Sequence, residues 1–308
     1  MKKIRPTYQS AKIISVLPDE MVRLIVANNG NDFTNLGTNT YLIGTKNIAI
    51  IDPGPNIPEH FNNIKKAIKN NYLSSIILTH SHQDHCAMAI RLAKKTESKI
   101  FLWNSLNLTK DELIIKIQDE TETIVDKRKK NSKVEIVSVE EGEQICSDEW
   151  CFEVITTPGH LCDHICLALK GSKVIFSGDH VMGWSSTVIV PPMGNMADYI
   201  TSLKKLLKRK EDIYLPAHGP LLLDAKNFVK SQLMHRDKRK NQILALLKSE
   251  TLSAKELADR LYPTIKPSLK LAAQNNIYAH LIDLTENKYV VHTGELSIKS
   301  RFSKKLLI

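Results

Sequence analysis

The sequence predicts an α/β (α+β) fold built on two sheets with helices outside them, followed by a small module of different pattern. Three observations carry this. Short runs rich in Ile and Val recur from residue 12 to residue 215, divided by Gly, Pro and Asn punctuation. Amphipathic helical stretches fall between some of these runs. From about Ala225 the strand pattern stops, and three helical stretches and a hairpin follow.

Residues 12–17, 21–27, 40–43 and 48–51 read as strands. Asp52-Pro53-Gly54 closes the last of them in a sharp turn. A helix is expected over 58–70. The apolar run Ser75-Ile76-Ile77-Leu78 reads as a buried strand, and Thr79-His80-Ser81-His82-Gln83-Asp84-His85 sits at its end. A helix over 86–95 should follow, with Asp84 and His85 at its positive end. Residues 99–103 form a further strand. Residues 104–133 are polar and charged, with a helical stretch around 111–127, and read as an insertion beside the site. Strands are expected again at 134–139, 152–156, 165–169, 173–177 and 213–215. A helix over 197–208 places Tyr199, Ile200, Leu203, Leu206 and Leu207 at helical spacing.

The remainder separates as a second domain, so the chain divides into residues 1–224 and 225–308. Residues 228–248 form a long basic helix. Ser253-Ala254-Lys255-Glu256 is a capping box that opens a second helix, which Pro263 ends. A third helix spans 267–286. A hairpin of 289–292 and 296–300 closes around Thr293-Gly294-Glu295. Three helices and a small hairpin make a winged-helix-like module, which serves either nucleic-acid contact or packing.

The 308 residues carry 43 basic and 33 acidic side chains, unevenly placed. Residues 1–203 hold 22 basic and 23 acidic residues, whereas residues 204–308 hold 21 and 10. Such asymmetry suggests a nucleic-acid or membrane-surface contact, or a compositional bias toward lysine. No apolar run approaches the roughly 18 residues of a membrane span, and the first residues do not read as a secretory signal. A cytoplasmic, non-membrane protein is expected, with homo-oligomerisation left open. Cys86, Cys146, Cys151, Cys162 and Cys166 show no framework spacing and read as free thiols in a reducing compartment.

Three histidines and a carboxylate within 80–85 are ligands that zinc and related ions take. Three further polar points follow strands: His160 in Thr157-Pro158-Gly159-His160, Asp179 after Gly178, and His218 before Gly219. In a two-sheet sandwich, strand ends gather along one edge, so these loops can converge. His80, His82, Asp84, His85, His160, Asp179 and His218 suffice for two ions, with Asp179 as the bridging carboxylate. Two ions about 3.5–4 Å apart lower the pKa of a shared water toward ~7, giving a metal-bound hydroxide for hydrolysis. Mixed His/Asp ligation favours Zn2+, with Mn2+ or Fe as alternatives. Asp52 is a candidate acceptor for a second ring nitrogen.

The ordered set His-x-His-x-Asp-His, Pro-Gly-His, Gly-Asp and His-Gly resembles the metallo-β-lactamase superfamily over roughly residues 12–222. The resemblance implies an αββα sandwich. It also implies that His80, His82 and His160 hold one ion, that Asp84, His85 and His218 hold the other, and that Asp179 lies between them. Leu36-Gly37-Thr38-Asn39-Thr40-Tyr41-Leu42, Asp163-His164, His235-Arg236, and Asn276 with His280-Leu281 resemble the β-lactamase-like protein 2 group. Studied members of that group cleave single-stranded RNA. The Pro-containing loop 188–196 departs from its animal members and puts the substrate in question.

The expected function is therefore a dinuclear metal-dependent hydrolase, first of single-stranded RNA. The alternative is a small-ester or thioester hydrolase of the hydroxyacylglutathione type. Asp84 is expected to hold the second ion and orient the hydroxide. His164, surplus to the ligand count, is a candidate proton donor to the leaving group, or a strand histidine bonded to backbone. Thr38, Asn39, Trp184 and residues 188–196 are candidates for the substrate wall, and His180 reads as structural.

Overall fold

The computed structural model describes residues 14–15, 21–118 and 134–305. The first sheet takes its strands in chain order: β1 (Ile14–Ser15), β2 (Val22–Val26), β3 (Asn39–Ile43), β4 (Asn47–Ile51), β5 (Tyr72–Ile77), β6 (Lys99–Leu102) and β7 (Ile136–Ser138). Pairing is antiparallel up to β4 and parallel from there to β7. Helices α1 (Pro58–Ile68), α2 (Gln83–Cys86), α3 (Ala89–Thr96) and α4 (Lys110–Ile117) supply the connections.

The second sheet holds β8 (Gln144–Cys146), β9 (Cys151–Thr156), β10 (Ile165–Leu169), β11 (Val174–Gly178) and β12 (Ile213–Pro216), in the order β12-β11-β10-β9-β8. Only β11 and β12 run parallel in it. Helices α5 (Met196–Leu207) and α6 (Ala225–Leu246) follow.

The two-residue period of a strand sorts its side chains into layers. Ile48 and Ile50 of β4 pack outward with Phe61 and Ile64 of α1 and Leu92 of α3. Ala49 and Ile51 face inward to Phe152, Leu167 and Phe176 of the second sheet. On that sheet's far face, Cys166, Ala168 and Ile175 meet Tyr199, Leu203 and Leu206 of α5 and Val229 of α6. The result is the expected αββα sandwich.

The C-terminal module contains β13 (Leu252–Ser253), α7 (Ala254–Leu261), α8 (Lys270–Glu286), β14 (Val290–His292) and β15 (Arg301–Lys304). Its core joins Ile243 and Leu247 to Leu257, Ile277, Leu281, Leu284 and Phe302. The capping box forms as expected: Ser253 accepts from the Glu256 N–H, and Glu256 accepts from the Ser253 N–H. Helix α6 serves both units, since Val229 lies in the sandwich core and Ile243 in the module's. Ala279 of α8 also packs into the sandwich layer.

Several expectations need correction. The helix over 86–95 is two helices, α2 and α3, joined through Ala87 and Met88. The helix around 111–127 corresponds to α4, whose Leu113 and Ile117 belong to the core packed on the first sheet, so it is a core element and not only an insertion beside the site; its continuation lies outside the described residues. Likewise 12–17 is described only at 14–15. Strand β8 was not expected; its three residues are too short for a periodic signal. The last strand lies at Arg301–Lys304 rather than 296–300, because Ser297 and Ser300 bond each other in a longer turn. The reading of five free thiols also fails. The tight turn between β8 and β9 sets Cys146 opposite Cys151, and they form a disulfide, while Cys86, Cys162 and Cys166 are free. Among the described residues, no helix is long and apolar enough to cross a membrane.

Candidate metal centre

The strand ends converge as the topology requires. β5 ends at Ile77 and delivers the 79–85 loop; β9 leads to His160, β11 to Asp179 and β12 to His218. Three ligand sets result, each with its atoms within 4.8 Å of one another: His80–His82–His160, His80–His85–Asp179 and Asp84–His85–His218. All seven candidates from sequence lie in this one cluster.

Outer hydrogen bonds fix which nitrogen of each ring faces inward. Thr79 Oγ1 donates to Asp52 Oδ2 at 2.7 Å, so it accepts from His80 Nδ1 at 3.0 Å. His85 Nδ1 donates to Asp52 Oδ2 at 2.9 Å. His160 Nδ1 donates to the Val188 carbonyl at 2.7 Å, and His218 Nδ1 to the Gly37 carbonyl at 3.2 Å. With Nδ1 protonated, the Nε2 lone pairs of all four rings point into the centre. His82 presents Nδ1 instead, 3.0 Å from the Nε2 of both His80 and His160. A single proton serves two such lone pairs poorly, whereas one cation accepts all three.

Asp179 spans the cluster. Its Oδ1 lies 3.6 Å from His85 Nε2 and 3.5 Å from His218 Nε2, and its Oδ2 lies 3.6 Å from His160 Nε2. Asp84 Oδ2 stands 3.2 Å from His218 Nε2 and 3.5 Å from His85 Nε2. His85 Nε2 and Asp179 Oδ1 are buried without a hydrogen-bond partner among the described residues. Converging lone pairs and carboxylates, with buried atoms left open, fit a pair of divalent cations.

Electrostatics divide the cluster in two. Burial pushes the His80 imidazole well below the usual histidine range, and His85 and His82 add to this. Burial likewise lowers His82 to about 4, helped by His160 and His85. On the other side, burial opposes charge on His85, but Asp84, Asp179 and Asp52 outweigh it and raise its pKa. His218 is raised against burial by Asp179 and Asp84. Burial also opposes ionisation of Asp84 and Asp179, yet the neighbouring His85 and His218 hold both carboxyls well below the usual range. That acidic half invites positive charge, which protons on its histidines supply when no ion is bound.

Several residues around the cluster hold it rather than line it. Asp52 adopts φ 50° at the end of β4 and also accepts from the Thr79 N–H at 2.8 Å, so it anchors the first loop. Asn39, expected at the substrate wall, donates through Nδ2 to the Pro216 and Gly219 carbonyls at 2.8 and 2.9 Å. Thr38 is buried and bridges His218 through backbone. Both therefore brace the His218 loop. Trp184 packs against Gly219, where an added Cβ would fall 2.3 Å from its ring.

His164, a candidate proton donor or a strand histidine bonded to backbone, is fully buried. Its Nε2 accepts from the Asp179 N–H at 3.1 Å, and its Nδ1 bonds Thr157 Oγ1 at 2.8 Å. Both nitrogens are engaged, so the geometry gives it a positioning role. His180 is buried, its ring centre 4.7 Å from that of Tyr199. The segment around α4 touches two ligand loops: Gln83 Nε2 donates to the Lys116 carbonyl at 3.3 Å, and Lys116 Nζ pairs with Asp163 at 2.7 Å. Sequence reasoning missed Thr79, Thr157 and Lys116. Thr79 and Thr157 lie inside the quoted motif stretches, but no feature of those stretches gave them a role of their own.

Comparison with known proteins agrees with this geometry. Residues 33–218 match the metallo-beta-lactamase superfamily, and residues 253–299 match the beta-lactamase associated winged helix domain. A beta-lactamase-like protein 2 homolog of Caenorhabditis elegans is 30% identical over 287 residues, covering 88% of this chain and 86% of that protein. An atrochrysone carboxyl ACP thioesterase of Aspergillus novofumigatus is 26% identical over 241 residues, 76% of this chain and 65% of its own. A beta-lactamase domain protein from Burkholderia ambifaria shares the fold with a TM-score of 0.77 at 18% identity, covering 96% of this chain and 94% of that one. With these matches, the convergent His/Asp cluster and the appended module, the chain belongs to the metallo-beta-lactamase superfamily of metal-dependent hydrolases.

Proposed function

We propose that this chain is a dinuclear hydrolase that cuts phosphodiester bonds of single-stranded RNA, with zinc as its ions. The observation that carries the dinuclear reading is Asp179, whose two oxygens face different histidines. His80, His82 and His160 would hold one ion and Asp84, His85 and His218 the other. Such a pair supplies Lewis acidity and a water of lowered pKa, near ~7. The chain's own residues do the rest. Asp52 and the Gly37 and Val188 carbonyls accept the Nδ1 protons of His85, His218 and His160, which aims their Nε2 atoms at the centre. The Asp84 side chain is 33% exposed, so it stands at the mouth, where it can orient the attacking water by accepting its hydrogen.

RNA as substrate is supported by the basic excess of residues 204–308 and by the likeness to the beta-lactamase-like protein 2 homologs. The thioesterase name of one relative favours a second reading, hydrolysis of a thioester.

A labelled single-stranded RNA resolved on a denaturing gel separates the two. Zinc- or manganese-loaded protein should cut it, and chelated protein and Asp84→Ala should not. If protein shown to hold two ions leaves RNA intact but cleaves an acyl thioester, the second reading replaces the first.

A further inference from the structure

We infer that the C-terminal module positions the metal centre, through Arg236 of α6 and Asn276 of α8. Both act on three consecutive backbone positions that end at two ligands. The inference rests on the dinuclear reading above.

Arg236 Nη2 donates to the Thr187 carbonyl. Asn276 Oδ1 accepts from the Ile189 N–H at 2.9 Å. Between them stands Val188, whose carbonyl accepts from His160 Nδ1 at 2.7 Å. The Thr187 hydroxyl donates to the Asp179 carbonyl at 2.7 Å. Thus a segment held at both ends by the module fixes the ring of one ligand and the backbone of another. These bonds cross 49 and 87 residues of sequence.

The Val188 carbonyl is what keeps the proton of His160 on Nδ1 and the lone pair of Nε2 on the centre. A carbonyl in a loop can turn with its peptide plane unless the flanking groups are held. Here the donor and acceptor on either side of it belong to helices α6 and α8, which both contribute to the core of the C-terminal module. Arg236 is 1% exposed, and its guanidinium lies 4.9 Å above the Tyr199 ring. Among the described residues no carboxylate pairs with it. A guanidinium buried that way is costly if its only task is packing. Its fixed planar fork suits the holding of one carbonyl in one place. Asn276 is likewise buried, with its amide oxygen committed to Ile189.

The rival reading is that these bonds merely dock the module. Cobalt binding to the full-length protein, stripped of metal, discriminates between them. Affinity for each equivalent would be read by competition with a chromophoric chelator, and ligand geometry by the visible absorption bands. Asn276→Ala and Arg236→Met should weaken at least one equivalent about tenfold and alter the bands. Asn276→Asp keeps an acceptor for the Ile189 N–H and should restore both. Leu257→Ala, in the module core and remote from this segment, should lower the thermal midpoint and leave both affinities unchanged.

Folded Asn276→Ala that binds both equivalents as tightly as the parent, with unchanged bands, overturns the inference. So does loss of affinity in Leu257→Ala equal to that in Asn276→Ala, since docking alone would then suffice. If Arg236→Met does not fold, the Asn276→Ala and Asn276→Asp pair decides. Parent protein that binds no cobalt refutes the dinuclear reading itself, and this inference falls with it.

Discussion

The backbone N–H of Asp179 donates to Nε2 of His164 across 3.1 Å, which ties the backbone of Asp179 to a fully buried ring. Because Nε2 is an acceptor there, the ring proton sits on Nδ1 and goes to Thr157 Oγ1. Burial lowers the pKa of His164 well below the histidine range, and His180 adds to this, so the ring stays neutral at working pH. His164→Ala leaves the buried Asp179 N–H unpaired, while Thr157 Oγ1 keeps Cys166 Sγ, at a cost of about 1–3 kcal/mol in stability. The loss should appear in urea unfolding of the metal-loaded protein. Both limbs of the pH–rate profile should survive in the variant. A limb that disappears would return His164 to the role of proton donor.

Asp52 governs the other side of the centre. It accepts from Thr79 N, Thr79 Oγ1 and His85 Nδ1, and through Thr79 it reaches His80. Asp52→Ala removes the acceptor that holds two ligands in their tautomers. Metal affinity should fall about 10–100-fold, as for other partners of ligating histidines. Asp52→Asn keeps the size and should fall between. Competitive chelator titration checks this, and unchanged affinity in Asp52→Ala would show that the first loop is held by other means.

The core of the site was readable because its ligands are side chains at strand ends. Contiguity exposed His80, His82, Asp84 and His85, and neighbouring glycines marked His160, Asp179 and His218. Layering was readable from two-residue alternation, as in Ile48 to Ile51. What stayed hidden depends on backbone partners. The Val188 and Gly37 carbonyls have no signature in residue type, yet they set the tautomers of His160 and His218. His164 was visible as a residue, but the direction of its nitrogens was not. Asn39 shows the same limit: its motif pointed to the site, while its amide braces the loop behind His218. Cys146 and Cys151 were misread because their pairing depends on a turn, not on a spacing motif.

Stability of the metal-free protein should fall steeply between about pH 6.5 and 4. Burial holds His60 and His82 neutral down to about 4, and His180 to about 3. Their unfolded values lie near 6.5. The unfolded chain therefore binds more protons in this window, and stability drops as pH drops. His60 alone contributes about 3 kcal/mol of that loss by pH 4. Asp84 and Asp179, held low in the fold, extend the loss below about 4. His85 and His218 act oppositely: their stabilisation is present below 6.5 and fades as pH rises through their raised values. Denaturant midpoints of chelated protein across this range, with His60→Gln beside the parent, test the balance. The variant should show a shallower fall. Identical slopes would remove His60 from the account.

The phosphodiester reading requires that basic residues near the mouth meet phosphates, and the module's approach to the sandwich nominates two. Lys266 Nζ pairs with Asp32 at 2.6 Å, and Ser268 Oγ bonds the same carboxylate at 2.6 Å. Asp32 lies in the loop before Thr38, which bridges His218. Lys270 is exposed at the start of α8, just beyond. Binding to single strands weakens with salt by a slope of about −0.7 per phosphate neutralised. Lys266→Gln with Lys270→Gln should therefore lower RNA affinity and reduce that slope by up to about 1.4, as read from equilibrium binding across salt concentrations. A small ester or thioester makes no such demand, so its turnover should be unaffected by the pair. An unchanged RNA slope would place the phosphate track elsewhere on the basic module, and a flat slope in the parent would count against RNA as the substrate.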